Sequence, residues 1–318
     1  MTQILKALIT TVLLVAVYSL WVALVPAHIT VPQGVNQDNA IKSQDFIYEQ
    51  AKGTEAVVLG TSLTAKMKIQ MMPTSYASLG FRGQSVYEGC ELLKRAKVFP
   101  KTIFIETNAL ARPINWAAID GLLNPISMRV KGWLPIMQEK NQPVNRLFHL
   151  GVLALEKKDK KKVADLATKL GARTSGTIYI PTKKDMTEKP DTRSEELLAK
   201  LIADILRGNE EAPRAKVFEA NMKLLRTYVG LFESKGCKIV FFEMPSHPLA
   251  CDNVRLKYVR QVVEQNFPKT KYTYYPEPDC DAYTTSDGRH LTEPSSYRYT
   301  KYFLETWEGM ESRMAGVR

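Results

Sequence analysis

Short apolar runs alternate with helical periods along most of this chain, and that alternation constrains its fold more than any other feature. Ala56 to Gly60, Ser75 to Leu79, Thr102 to Thr107 and Lys238 to Met244 are five to seven residues long, and all but Ser75 to Leu79 are rich in Val, Ile, Leu and Phe. Runs this short and this apolar suit strands buried on both faces. Between and after them lie helical segments. In 86–98 the residues Val86, Cys90, Leu92, Leu93 and Ala96 share one face, and Pro100 closes the segment. Further helices are predicted over Val217 to Ser234, ahead of Gly236, over Val254 to Phe267 and over Ser295 to Trp307, with a further strand near Lys271 to Tyr275. Strands alternating with helices predict an α/β fold, with a parallel sheet covered by helices on both faces. At 318 residues the chain suits one large α/β domain with an insertion, or two modest domains.

The amino terminus obeys a different rule. Ala7 to Val25 carries no charge and is dominated by Leu, Val, Ile and Ala, with Tyr18 and Trp21 near its far end and Pro26 closing it. At ~1.5 Å per residue such a run crosses roughly 30 Å of hydrocarbon. A cleaved signal peptide is the alternative, since Val25-Pro26-Ala27 passes for a small-residue cleavage site. The run exceeds the usual apolar core of about 7–15 residues, however, so an uncleaved anchor over residues 1–26 is the expectation. Lys6 precedes the span and Lys42 is the first cation after it, which places the large domain outside the cytoplasm, periplasmic or extracellular. Residues 27–53, polar and holding Pro32 and Gly34, read as a linker running into a short helix from about Ile41. The α/β domain then occupies 54–318.

From Arg112 to about Arg214 the alternation breaks. Prolines, the run Lys157 to Lys162 and a helix over Ser194 to Leu206, with Leu197, Leu198, Leu201, Ile202 and Ile205 on one face, mark a large helical insertion at about 112–214. The lysine run is a solvated face, or secondarily a docking surface for anionic lipid or polymer. Forty-four Lys plus Arg against 33 Asp plus Glu give a net charge of +11, which suits an anionic neighbour without choosing among membrane, acidic polymer and nucleic acid. No basic-aromatic stripe favours nucleic acid. The four cysteines, Cys90, Cys237, Cys251 and Cys280, form no Cys-x-x-Cys pair and no Cys/His cluster, so a zinc site is not expected. Cys251 and Cys280 flank a predicted helix and strand in loop-like sequence; a bridge and two free thiols both fit.

One strand end carries chemistry. Val57-Val58-Leu59-Gly60-Thr61-Ser62 is a strand that reaches a glycine and then presents a hydroxyl, the way a nucleophile is displayed over a sheet. The same residues also fit a serine that merely caps the next turn. A serine hydroxyl needs a base in hydrogen-bond reach, and the base needs a third group to fix its tautomer. Asp287 and His290, three residues apart in one loop, offer both. Of the other histidines, His28 abuts the membrane run, His149 lies in the insertion, and His247 is the rival base at a strand end.

Gly60-Thr61-Ser62, Leu79-Gly80-Phe81-Arg82-Gly83, Glu106-Thr107-Asn108 and Asp287-x-x-His290-Leu291-Thr292, in that order, resemble the four blocks of the SGNH hydrolase superfamily, also called GDSL-like esterases. The resemblance covers residues of about 54–110 and 236–305 and excludes the insertion. It implies a flavodoxin-like three-layer sandwich around a central parallel sheet, with Ser62 as nucleophile, His290 as base and Asp287 as its orienter. It also implies an oxyanion hole from the Ser62 amide, the Gly83 amide and the Asn108 side chain, with Gly80 as the alternative glycine, and no cofactor. Two departures stand out: Thr61 replaces the usual aspartate of the first block, and Glu106-Thr107-Asn108-Ala109 replaces Gly-x-Asn-Asp in the third. With its anchor, the chain is closer to membrane-anchored SGNH-like proteins that act beside a membrane-bound O-acyltransferase on polysaccharide. The expectation is acyl transfer, of acetyl, to a cell-envelope or exopolysaccharide hydroxyl, or hydrolysis of such an ester, with an O-acyltransferase or glycan synthase as partner. A non-catalytic scaffold for such a complex is the alternative.

Overall fold

The computed structural model describes residues 2–25, 29–30, 32, 34–147, 173–174, 192–206 and 215–315. His28, His149 and the lysine run at 157–162 lie outside the described residues. Among the described residues the longer helices are α1 (Gln3–Leu24), α2 (Val35–Asp45), α3 (Val86–Ala96), α4 (Trp116–Leu122), α5 (Pro125–Trp133), α6 (Thr192–Leu206), α7 (Ala215–Ser234), α8 (Val254–Asn266) and α9 (Glu293–Ala315), with a single helical turn at Pro248–Cys251. The strands of the central sheet are β1 (Ala56–Gly60), β2 (Tyr76–Gly80), β3 (Thr102–Glu106), β4 (Lys238–Phe242) and β5 (Thr273–Tyr274). A two-residue antiparallel pair, Ile29–Thr30 with Arg173–Thr174, lies apart from that sheet. Two compact units result: Met1–Glu49 with Asp120–Thr177, and Gln50–Ile119 with Ile178–Arg318. The segment expected as one insertion therefore divides, the part from Asp120 on grouping with the amino-terminal residues, and residues 112–119 and α6 with the α/β unit.

In the first unit α1 runs for 22 residues, about 33 Å, and is long and apolar enough to cross a membrane. Val22 is its one buried side chain. The carbonyls at its carboxyl end, which no helical N–H can reach, are met by a cation. The Arg146 guanidinium donates to the Val25 and Val22 carbonyls and to Asn141 Oδ1, and it lies 5.7 Å from the centre of the Trp21 ring. Tyr18 donates its hydroxyl to the Asn141 carbonyl. Residues 34–50, expected inside a linker with a short helix from Ile41, form α2 and a π-helical turn over Phe46–Gln50. Ile41 and Phe46 are wholly buried, and Gln44 accepts from the Glu139 amide at 2.8 Å, so tertiary contacts order a segment whose polar composition hides its helix.

The second unit is α/β. Its five strands are all parallel, in the order β2-β1-β3-β4-β5. Val58, Phe104, Val240 and Phe242 point to one face and pack with Tyr299, Phe303 and Trp307 of α9. Phe104 sits at the centre of that layer, with ring centres of Phe303 and Trp307 at 5.1 and 4.9 Å. The alternate residues point the other way, where Leu59 approaches Gly89 of α3 and the Phe241 ring centre lies 5.0 Å from that of Phe267 at the end of α8. Each such side chain, removed from water, contributes about 1.5–3 kcal/mol, and the two-sided burial accounts for the continuous apolarity of the runs. The registry pairs Gly60 with Gly80 and Glu106 with Phe242, so the carboxyl ends of β1 to β4 form a single edge. Between β1 and β2 the chain makes two 3-10 turns, Thr64–Lys66 and Ile69–Met71.

Candidate active site

The edge just described is where chemistry-bearing residues collect, at the position where the chain order changes direction, β2 and β3 lying on opposite sides of β1. Ser62 follows β1 by two residues. His290 Nε2 lies 2.8 Å from Ser62 Oγ, and His290 Nδ1 lies 2.6 Å from Asp287 Oδ2. The three groups thus form one hydrogen-bonded chain across 228 residues of sequence. The carboxylate is tied on its second oxygen as well: Asp287 Oδ1 accepts from the backbone amides of Arg289 and His290 at 3.0 and 2.7 Å. Burial raises the Asp287 carboxyl, but the bonds from the His290 ring and from both amides outweigh it and hold the group well below the usual carboxylate range. An ionised Asp287 facing Nδ1 fixes the proton there and leaves Nε2 able to accept from the serine.

The loop bearing these two residues is closed by its own backbone. Ser286 and Thr292 donate their amides to the carbonyls of His290 and Thr284, and Thr285 bridges Leu291. It is also tied from outside. His247 donates its amide to the Gly288 carbonyl at 2.9 Å, while its Nδ1 accepts from the Leu249 amide at 3.3 Å. The rival base is therefore engaged in capping the turn Pro248–Cys251, and His290 holds the serine. Cys251 and Cys280 are joined by a disulfide, with Cα atoms 6.4 Å apart, linking that turn to the segment leading into the loop. Cys90 and Cys237 are free and buried.

On the serine side the organising group is Glu106, the last residue of β3 and fully buried. Its carboxylate accepts from the Thr61 amide at 2.8 Å, the Thr61 hydroxyl at 2.8 Å, the Thr64 amide at 3.2 Å and the Thr64 hydroxyl at 2.5 Å. Those donors bracket Ser62 on both sides. Burial pushes the Glu106 carboxyl up, and the threonine bonds offset this only in part. Gly60 is required by the same clamp: a Cβ there would lie 2.0 Å from Thr64 Oγ1 and 2.6 Å from Glu106 Oε2. Its value is thus close approach rather than a special backbone angle.

Of the expected oxyanion donors, Gly83 lies in the loop after β2 with φ of +73°, a left-handed conformation that suits glycine. Gly80, the alternative, is the final residue of β2 and packs beneath the serine turn, where a Cβ would meet the Ala65 nitrogen at 2.7 Å. Asn108 exchanges two bonds with the backbone of Met244: its Nδ2 donates to the carbonyl at 2.9 Å and its Oδ1 accepts from the amide at 2.8 Å. That pair fastens the tips of β3 and β4 and uses one of the two Nδ2 hydrogens. Among the described residues no group of three or more His, Cys, Asp or Glu side chains could hold a metal ion.

Glu106 is the residue whose role the sequence conceals, since it stands as a departure in the third block. The signal was present in chemical form: an acid within the run Thr-Ile-Phe-Ile-Glu-Thr must find donors when the strand is buried, and Thr61 and Thr64 flank the serine. Comparison with family models, with curated proteins and with solved structures returns no match for this chain.

Proposed function

We propose that this chain is a serine-dependent acyl-transfer enzyme of SGNH type, anchored by α1, with its α/β unit outside the cytoplasm. The observation that carries the reading is the relay Ser62–His290–Asp287, with contacts of 2.8 and 2.6 Å. The strand order β2-β1-β3-β4-β5 supports a flavodoxin-like sandwich. The disulfide supports an oxidising compartment.

In the first step Ser62 Oγ attacks the acyl carbonyl as its proton passes to His290 Nε2. The oxyanion so formed is met by the Ser62 and Gly83 amides and the Asn108 carboxamide. Collapse expels the leaving group, which takes the proton from His290, and an acyl-enzyme remains. An acceptor hydroxyl then attacks, His290 removes its proton, and the second collapse returns that proton to Ser62 Oγ. With a polysaccharide hydroxyl as acceptor the outcome is O-acylation, of acetyl in our reading; with water it is ester hydrolysis. A membrane-bound O-acyltransferase or glycan synthase fits as the partner that supplies acyl groups or polymer.

Treating the folded chain with a serine-directed fluorophosphonate tests this. The expected result is a single phosphonyl adduct on Ser62, lost in Ser62→Ala and in His290→Ala. A folded sample with no adduct at Ser62 overturns the reading in favour of a scaffold. Incubation with p-nitrophenyl acetate and a glycan oligosaccharide then separates transfer from hydrolysis by the ratio of acetylated sugar to acetate.

A further inference from the structure

Helix α5 is built to form and yet buries none of its residues. Asn124 caps it by accepting from the Ile126 and Ser127 amides at 3.0 and 3.1 Å, and Pro125 occupies its first turn. Ile126, Val130 and Trp133 stand at i, i+4 and i+7, one face of a helix, and are 76%, 36% and 79% exposed. Leu134 and Met137, just beyond the helix, are 47% and 52% exposed. The opposite side is satisfied within the unit: the Met128 carbonyl accepts from Tyr48, Gly132 lies against the Tyr48 ring, and the Lys131 carbonyl accepts from Gln138. Scattered exposed apolar residues are ordinary, but a contiguous stripe containing a tryptophan marks a contact surface.

What covers the stripe follows from its neighbour. The turn Pro135–Met137, which continues α5, packs on α1. Arg146 and Asn141 fasten the following residues to the outer end of α1, at Val22, Val25 and Tyr18. Tyr18 and Trp21 are the aromatic residues that end a membrane span at the headgroup level. We infer that the exposed face of α5 and its turn lies in the membrane interface around the outer end of α1, with Ile126, Trp133 and Met137 among the acyl chains. Arg129, exposed on the same helix, then meets anionic headgroups. The inference rests on α1 being a membrane anchor, and it adds that the first unit lies on the bilayer as well as being tethered to it.

Nitroxide labels at Ile126→Cys, Trp133→Cys and Met137→Cys test it in the full chain reconstituted into a phosphatidylcholine/phosphatidylglycerol bilayer. The native thiols are buried or bridged, so labelling is confined to the introduced site. Reference labels go at Leu13→Cys in α1 and at exposed Thr270→Cys in the α/β unit. Power-saturation electron paramagnetic resonance compares collision with oxygen, which partitions into lipid, against a water-soluble nickel chelate. The expected result is that all three stripe labels prefer oxygen, as Leu13→Cys does, while Thr270→Cys prefers nickel. Stripe labels that prefer nickel while Leu13→Cys prefers oxygen overturn the inference and leave the anchor standing. A nickel preference at Leu13→Cys overturns the anchor and the inference together. Protection of the stripe from both reagents shows a protein covering it, a second copy or another partner, and overturns the assignment to lipid.

Discussion

The serine and the histidine reach each other from two loops held by opposite means. The turn after β1 rests on Glu106, a carboxylate removed from solvent that takes four donors from Thr61 and Thr64. The loop at 284–292 carries Asp287, a carboxylate left 21% exposed beside its histidine. Burial dominates the first and raises its pKa; hydrogen bonds dominate the second and lower it. One side-chain chemistry thus serves two purposes, with Glu106 shaping a turn and Asp287 setting a charge. The two loops also differ in how they are tied to the rest of the unit, since only the histidine loop has a disulfide leading into it.

Asp287→Asn breaks the comparison at its electrostatic end. A carboxamide can present its NH₂ to Nδ1, which moves the imidazole proton to Nε2 and leaves nothing to accept from Ser62. We expect p-nitrophenyl acetate turnover to fall by about 10³–10⁴-fold in a protein that still folds at neutral pH, with a lowered unfolding midpoint because the stabilisation held by the ionised carboxylate is lost. Normal turnover in a folded Asp287→Asn protein would show that the carboxylate does not set the tautomer.

Glu106→Ala breaks the other end. Two amides and two hydroxyls lose their acceptor in a buried place, and a void opens under the turn, so stability drops by about 4 kcal/mol. Urea denaturation measures that loss, and Glu106→Gln, which keeps the shape, should lose less. The two carboxylates also predict opposite pH signs. Asp287 is depressed, so its contribution is complete above the ordinary value of 3.8 and is lost as pH falls toward the lower folded value. Glu106 is raised, so the folded state holds its proton longer than the unfolded one, and its contribution declines as pH rises above the ordinary 4.5. Between pH 4.5 and neutrality the stability difference between Glu106→Gln and wild type should therefore move toward the variant, whereas for Asp287→Asn a rise from below pH 3.8 moves it toward wild type.

Legibility in the sequence followed the same division. Strands β1, β3 and β4 were visible because burial on both faces leaves a nearly unbroken apolar run, and Ala56–Gly60 falls on its expected bounds. Asp287 and His290 were visible because a local i, i+3 pair in one loop needs no knowledge of the fold. Glu106 was not, because its partners lie 42 and 45 residues away and nothing local announces them. Helix α2 was visible only from about Ile41, and its start hid for a related reason: its buried positions there include Asp38 and Asn39, polar groups that only tertiary contacts can satisfy. Nor could periodicity foretell that residues 120–147 would group with the amino terminus, since it reports a helix's apolar face and not its neighbour.

The smallest expected effect falls on His247, and it sharpens the assignment of the base. Both His247 and His290 stand near the carboxyl edge of the sheet, and both touch the same loop, one through the Gly288 carbonyl and one as a member of it. Their ring nitrogens do different work: Nδ1 of His247 caps a four-residue turn, whereas Nδ1 and Nε2 of His290 join a carboxylate to a hydroxyl. In His247→Ala the backbone bond to Gly288 survives and only the cap is lost, which costs about 1 kcal/mol. Fluorophosphonate labelling of Ser62 should then proceed within a few-fold of the wild-type rate, while His290→Ala abolishes it. A His247→Ala protein that folds with the Gly288 bond and the Cys251–Cys280 bridge intact but no longer labels would move the base from one loop to the other, because with both ties to the histidine loop in place only the ring itself is missing.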